Sequence, residues 1–244
     1  MVTYLEEASA VQLGELRGVI ALDGPSGTGK STVARRLAVT LGAGYLDTGA
    51  MYRAVTLAVL RAGIATDDEQ AVLTVAEHVD LRVSADAEHQ DVLLGGENVG
   101  SEIRGQAVTL AVSAVSAVAQ VRALLVARQM RIIDEVCQER GGIVVEGRDI
   151  GTVVAPDAAL KVYLTASSDA RARRRSLQDS ASFDDTKRDV DRRDQLDSGR
   201  AASPLQPADD AVWLDTTNLD LQGVLDEILA LVDERDLRGV AAGR

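Results

Sequence analysis

Residues Gly24-Pro25-Ser26-Gly27-Thr28-Gly29-Lys30-Ser31 match the pattern G-x-x-x-x-G-K-[ST] in full. The apolar run Gly18 to Asp23 (GVIALD) precedes them and reads as a strand buried on both faces. The segment STVARRLAVTL follows, with Val33, Leu37 and Leu41 at helical spacing and Gly42 as a stop. A strand, a glycine-rich turn and a helix in that order make a phosphate-binding loop. Glycines let backbone N–H groups converge on phosphate oxygens, and the helix N-terminus adds partial positive charge. Lys30 is expected to reach the β and γ oxygens, and Ser31 to offer its hydroxyl to Mg²⁺. With Thr32, these residues are the candidate ATP-binding set, and the implied ligand is a purine nucleoside triphosphate with magnesium.

Outward from the loop, strands alternate with helices. A helix is predicted over 50–62. Thr66-Asp67-Asp68-Glu69 reads as a capping box opening the next helix, through about Val79. The period then changes to two at Leu81, Val83, Val92 and Leu94, with Gly95-Gly96 as a turn, which predicts a small antiparallel insert. Helices are expected over 106–118 and 120–140. Strands are expected at Ile143 to Glu146, Leu160 to Leu164 and Val212 to Leu214, and a closing helix over 219–235. The alternation predicts an α/β fold with a parallel sheet. Residues 168–200 are rich in both signs of charge and poor in apolar groups, and are expected to stand off the core as a mobile helical segment. Residues 1–17 read as a flexible extension, and 18–244 as one domain.

The chain has 244 residues, which at roughly 150 per domain predicts one or two domains. Its formal charge is −12, with 2% aromatic residues. An acidic chain with few aromatics is a poor candidate for gripping duplex DNA or stacking single-stranded bases. No apolar run approaches the ~18 residues of a membrane span. Glu6 and Glu7 break any signal-peptide pattern near the N-terminus. The single cysteine, Cys137, has no internal partner. A monomer in the cytoplasm, with no nucleic-acid or membrane partner, is the expectation.

A phosphate loop alone does not say where the γ-phosphate goes, since switches, motors and small-molecule kinases share it. Thr186-Lys187-Arg188-Asp189 has the letters of a guanine-recognition signature. That signature should follow a buried strand, whereas here it follows the polar Ser182-Phe183-Asp184-Asp185, so a solvated helix is the better reading. A nucleotide switch would also need a strand-ending D-x-x-G, whose spacing Asp47-Thr48-Gly49 lacks. Every basic residue other than Lys30, Lys161 and Lys187 is an arginine, the side chain suited to bidentate phosphate contact. Most of these are read as surface pairs. His78 and His89 are read as a helix-surface residue and a turn residue.

The succession GPSGTGKST, LDTGAMYR, EIRGQAV, EGRDIGTVV and DSGRAASPL resembles bacterial cytidylate kinases, within the nucleoside monophosphate kinases, over about residues 18–235. That resemblance implies a five-stranded parallel sheet wrapped by helices. It also implies a monophosphate-binding region over about 48–118 that carries the small β insert, and a helical lid over about 168–198. It implies transfer of phosphoryl from ATP to CMP and dCMP, with Mg²⁺. A kinase for UMP or another pyrimidine monophosphate is the alternative.

Carried over, it puts Thr48, Tyr52 and Arg53 in the CMP site with Arg53 on the phosphate, Ser113 and Arg122 near the base, and Asp149 facing cytosine. Arg148, Arg193 and Arg200 would clamp phosphates, Asp197 would take the ribose hydroxyls, and lid residues such as Arg174 would face ATP. Lys30, Arg148, Arg193 and Arg200 are thus the catalytic candidates. Arg173 and Arg175 are expected toward phosphate, with Asp184 and Asp185 toward solvent. Glu146 stands where some members have Asp, and Thr48 where some have Ser.

Overall fold

The computed structural model describes residues 15–179, 182–199 and 204–239. Five strands form one sheet in the order β2-β6-β1-β7-β8, each pair parallel: β1 is Gly18–Asp23, β2 Gly44–Asp47, β6 Gly142–Glu146, β7 Leu160–Thr165 and β8 Val212–Asp215. Three short strands, β3 (Leu81–Val83), β4 (Val92–Leu94) and β5 (Glu97–Asn98), form the separate antiparallel insert. Gly95 and Gly96, both at positive φ (59° and 86°), make its two-residue turn, as the period-two pattern predicts.

The sheet is apolar on both faces, so successive residues of one strand enter opposite cores. Ala21, Ile143 and Val145 pack with Met51, Val55 and Leu125. Ile20, Leu22, Val144 and Val162 pack with Leu37 and Ile228 on the other side. Helices α2 (Thr48–Arg61), α4 (Gln106–Ala117) and α5 (Ala119–Arg140) supply the first core, and α1 (Lys30–Thr40) and α8 (Leu221–Glu234) the second. Strands read as continuous apolar runs are what two-sided burial requires. β8 is the exception, an edge strand whose Trp213 is 63% exposed and packs on the Tyr163 ring at 4.9 Å.

Helix starts shift from the sequence expectation where an aspartate side chain caps them. Helix α3 (Glu69–His78) is capped by Asp68, not Thr66, because the Asp68 side chain accepts the Ala71 N–H at 3.0 Å. Helix α2 begins at Thr48, earlier than expected, because Asp47 caps it by accepting the Ala50 N–H at 2.9 Å.

Residues 15–17, read with the extension, pack as part of the body. Leu16 is fully buried and bridges to Arg238, and the Glu15 N–H donates to Leu41 O at 2.9 Å. The earlier residues lie outside those described. The charged stretch folds as α6 (Ser168–Asp179) and α7 (Phe183–Ser198), packed on each other. Contrary to the sequence expectation, the pair does not stand off the core, since Arg171, Ala172, Val190 and Arg193 are all buried. No single helix among the described residues is long and apolar enough to cross a membrane.

Leu16→Ala is expected to lower the unfolding free energy by about 2–5 kcal/mol, read by urea denaturation, as for a filled core position. A change near zero would place residue 16 outside the core.

Candidate functional site

In an open parallel sheet, ligands collect beyond the carboxyl ends of the strands, where the chain order reverses. Here β2 and β6 end at one cavity of about 510 Å³, which the loop leaving β1 also lines. It runs from the phosphate loop, past Thr48, Tyr52 and Arg53 at the start of α2, to Ser113 and Ser116 on α4 and Arg122 on α5. Gly147, Arg148 and Asp149 after β6 form its floor, and Arg174, Arg175, Arg193 and Asp197 come from α6 and α7.

The loop geometry needs its glycines. Gly24 has φ 143°, and a Cβ there would lie 2.1 Å from Leu164 O. Gly29 caps α1 in a left-handed conformation at φ 92°. The Lys30 ammonium donates to Pro25 O at 2.7 Å and to Thr28 Oγ1 at 3.4 Å, inside the curl of the loop. Burial, reinforced by the Arg148 charge, pushes its pKa well below the usual lysine range. Gly24, Pro25 and Thr28 form the frame of the loop and do not line the cavity, while Ser26, Gly27, Gly29, Lys30, Ser31 and Thr32 do.

At the end of β6 the Glu146 carboxylate accepts from Ser31 Oγ at 3.0 Å and from the Tyr45 hydroxyl. Its backbone oxygen accepts from Thr48 Oγ1 at 2.7 Å. Burial, then the nearby Asp47 charge, raises Glu146 to about 7. Ser31 and Glu146 together present a hydroxyl and a carboxylate beside the loop. Mg²⁺ typically takes one or two such protein oxygens and completes its shell with water and phosphate, so this donor pair fits it.

Arginines dominate the middle of the cavity. Arg53 Nη1 donates to Ile103 O at 2.9 Å and to Thr109 Oγ1 at 3.0 Å. Burial, then the charges of Arg175 and Arg104, lower it to about 10. Arg193 is lowered to about 9 by burial, then by Arg148, Arg53 and Arg175. Arg148 also suffers from burial, but Asp197, bound to its Nε at 2.9 Å, outweighs that and raises its pKa. Mutually repelling cations in a partly desolvated cleft form a field that an anion with several charges would relieve.

At the far end Arg122 and Asp149 form a buried ion pair. Arg122 also donates to Ser116 O at 3.2 Å and lies over the Tyr52 ring, 5.2 Å from its centroid. Asp149 thus pairs with Arg122 rather than with its neighbour Arg148. Such an acid–base pair can offer one acceptor and several donors to the edge of a planar heterocycle.

Helices α6 and α7 close over the loop through arginines bound to its backbone and hydroxyls. Arg171 donates to Ser26 O at 3.1 Å and pairs with Asp194 at 2.6 Å, while Arg175 and Arg193 reach Ser26 Oγ at 3.2 and 3.4 Å. Arg174 donates to Thr28 O at 3.3 Å and to Thr216 Oγ1 at 2.9 Å. These bonds explain why the segment lies on the body despite its few apolar residues.

Arg173, expected toward phosphate, is exposed on the opposite side of α6, and Asp184 and Asp185 are exposed as expected. Arg200 lies outside the described residues. Sequence reasoning missed Arg171, whose only signal was its place in the Arg171/Arg173/Arg174/Arg175 run. It also assigned nothing to Arg104 and Asp47, which line the cavity and pair at 3.3 Å, although both stand inside quoted motifs. Asp23 was missed too; its carboxylate accepts from Ile150 N and Gly151 N.

A family model described as cytidylate kinase matches residues 20–234. A cytidylate kinase of Rhodococcus opacus (strain B4) is 55% identical over 222 residues, covering 89% of this chain and 95% of its own. One from Nocardia farcinica (strain IFM 10152) is 53% identical over 228 residues, covering 91% and 97%. Among solved structures, a gluconokinase from Sinorhizobium meliloti 1021 aligns over 90% of this chain and 94% of its own, with 15% identity and a TM-score of 0.46. With a match over nearly the whole body and half or more of the residues shared with such relatives, the chain belongs to the cytidylate kinase family.

Proposed function

We propose that this chain transfers the γ-phosphoryl group of ATP to a phosphate oxygen of CMP or dCMP, releasing ADP and CDP or dCDP. The observation that carries this is the layout of one cavity. The phosphate loop lies at one end, a buried Arg122–Asp149 pair at the other, and a bank of arginines between them. A nucleoside monophosphate laid along it directs its phosphate at Lys30 and its base at Asp149.

The acceptor oxygen is already anionic near neutral pH, so no general base has to activate it. The barrier is the approach of two polyanions in line, and catalysis is a matter of positioning and charge. Lys30 reaches the transferring phosphoryl. Arg53, Arg148, Arg193 and Arg200 offset the acceptor's charge and the charge spread over the equatorial oxygens. Arg174 and Arg175 bring α6 over the ATP phosphates as a lid and exclude water, which would otherwise compete as acceptor. Ser31 and Glu146 would hold Mg²⁺, which when bound would neutralise phosphate charge.

Asp197, held by Arg148, faces the ribose hydroxyls. Cytosine offers an amino donor at position 4 to the Asp149 carboxylate and ring acceptors to Arg122, with Ser113 beside them. Uracil presents a carbonyl to the carboxylate instead, an unpaired and repulsive contact in a buried site. The protein is read as a monomer acting in the cytoplasm on small soluble nucleotides.

Lys30→Ala is expected to lower kcat by about 10²–10³, in the range seen on removing one preorganised electrostatic donor, with the circular dichroism spectrum unchanged. Coupled ADP-release assays with CMP would measure it, and near-normal turnover would take Lys30 out of the mechanism. Asp149→Asn keeps the shape of the pair but loses the carboxylate. Its kcat/KM for CMP should fall far more than that for UMP, narrowing a preference that polar pockets can hold at up to ~10⁴. Equal losses on the two substrates would make Asp149 a purely structural partner of Arg122. Wild-type protein that turns over UMP as fast as CMP would remove the base-recognition role altogether.

A further inference from the structure

We propose that Asp23 is a positioning residue that locks the turn Gly147-Arg148-Asp149 to the root of the phosphate loop, and so sets both the line of transfer and the preference for cytosine. This rests on the acceptor site proposed above.

Asp23 ends β1 and immediately precedes Gly24, where the phosphate loop departs. Its side chain reaches the backbone that follows β6, within electrostatic range of Lys30. Oδ1 accepts from Ile150 N at 2.9 Å and Oδ2 from Gly151 N at 2.8 Å, both in the interior. These two amides open the single π-helical turn Ile150–Val154, directly after Arg148 and Asp149. On the other side of that pair, Gly147 N donates to Leu22 O at 3.0 Å. The last two residues of β1 therefore clamp both flanks of the segment that carries Arg148 and Asp149. Donor and acceptor subsites share one fixed point.

Space around the clamp is tight. A Cβ on Gly151 would lie 3.1 Å from Lys161 Cδ and 3.5 Å from Asp23 Oδ2. A Cβ on Gly147 would lie 2.6 Å from Ile150 Cδ1 and 2.7 Å from Thr48 Oγ1. Small errors here are carried into the phosphate and base contacts, and a misplacement of about 1 Å can cost 10²-fold in rate. The chemistry of the pair of bonds also requires a carboxylate. Two parallel N–H groups need two acceptor oxygens, whereas an amide offers one oxygen and turns N–H donors toward the other. The group is retained although burial pushes its carboxyl up to about 6 against the pull of the two amides.

Asp23→Asn is expected to lower kcat with CMP by about 10²-fold and the CMP-over-UMP ratio of kcat/KM by at least about tenfold, with KM for ATP within about twofold of wild type. In an Asp149→Asn background the same change should leave the CMP-over-UMP ratio where it was, since coupled residues are not additive. Asp23→Glu keeps the charge but moves the two acceptor oxygens by one methylene, and should show the same loss of selectivity. It serves if Asp23→Asn does not give a folded protein by circular dichroism.

Equal losses on CMP and UMP in these variants, or additive losses in the double variant, would overturn the role of Asp23 while leaving the kinase reading intact. Wild-type protein that releases no ADP in the presence of CMP would instead overturn the acceptor site, and the role of Asp23 with it.

Discussion

Like charges forced together out of bulk water are the constraint on which this structure turns. Eight cationic side chains, Lys30 and seven arginines, line a single cavity beside only four acidic ones. Burial, then repulsion from neighbouring arginines, lowers Arg53 to about 10 and Arg193 to about 9, whereas Asp197 outweighs burial at Arg148. A fold tolerates such a cluster when other interactions hold it together, and the cost becomes useful when a polyanion replaces water as the partner. The chain as a whole carries −12, so the positive field is local rather than a property of the surface. That combination suits a small, highly charged anion drawn into a cleft, and not a long nucleic acid lying across a face.

The sheet supplies the stiffness that holds those cations in place. β1 lies between β6 and β7, buried on both faces, and from its end the chain departs into the phosphate loop. β6 ends beside it in Glu146, which reaches Ser31 across the gap, and continues into Arg148 and Asp149. Side chains that meet in one cavity thus stem from the ends of adjacent parallel strands. Their separations are fixed by backbone hydrogen bonds rather than by surface loops alone.

Helices α6 and α7 are bound differently. Few apolar residues of this pair are buried, and its attachment to the body runs through Arg171, Arg174, Arg175 and Arg193 on Ser26, Thr28 and Thr216. Contacts of that kind are polar and bridge to the loop proposed to hold ATP, and under that reading they are exchangeable for contacts to phosphate. An element held mainly by ions over an ionic site is suited to move with the ligand.

Much of the architecture was legible in the amino-acid order, because it is written in local chemistry. The phosphate loop, the period-two insert and the two-sided strands each need particular residues at particular spacings, whatever surrounds them. Arg53, Arg148, Asp149 and Asp197 became candidates through the family resemblance that the motifs carry, not through local chemistry alone. Which side chain faces which was not legible. That Asp149 pairs with Arg122, that Arg171 rather than Arg173 points inward, that Asp68 caps α3, and that Leu16 joins the core all depend on strands and helices distant in sequence meeting in space. Asp23 shows the division most clearly. As a letter it is the last residue of a strand, and only the parallel pairing of β1 with β6 brings its carboxylate to the amides of Ile150 and Gly151, 127 and 128 positions further along the chain. Spacing in sequence encodes what neighbours in the chain must do, while the ordering of strands decides which distant groups share a dielectric, a charge or a hydrogen bond.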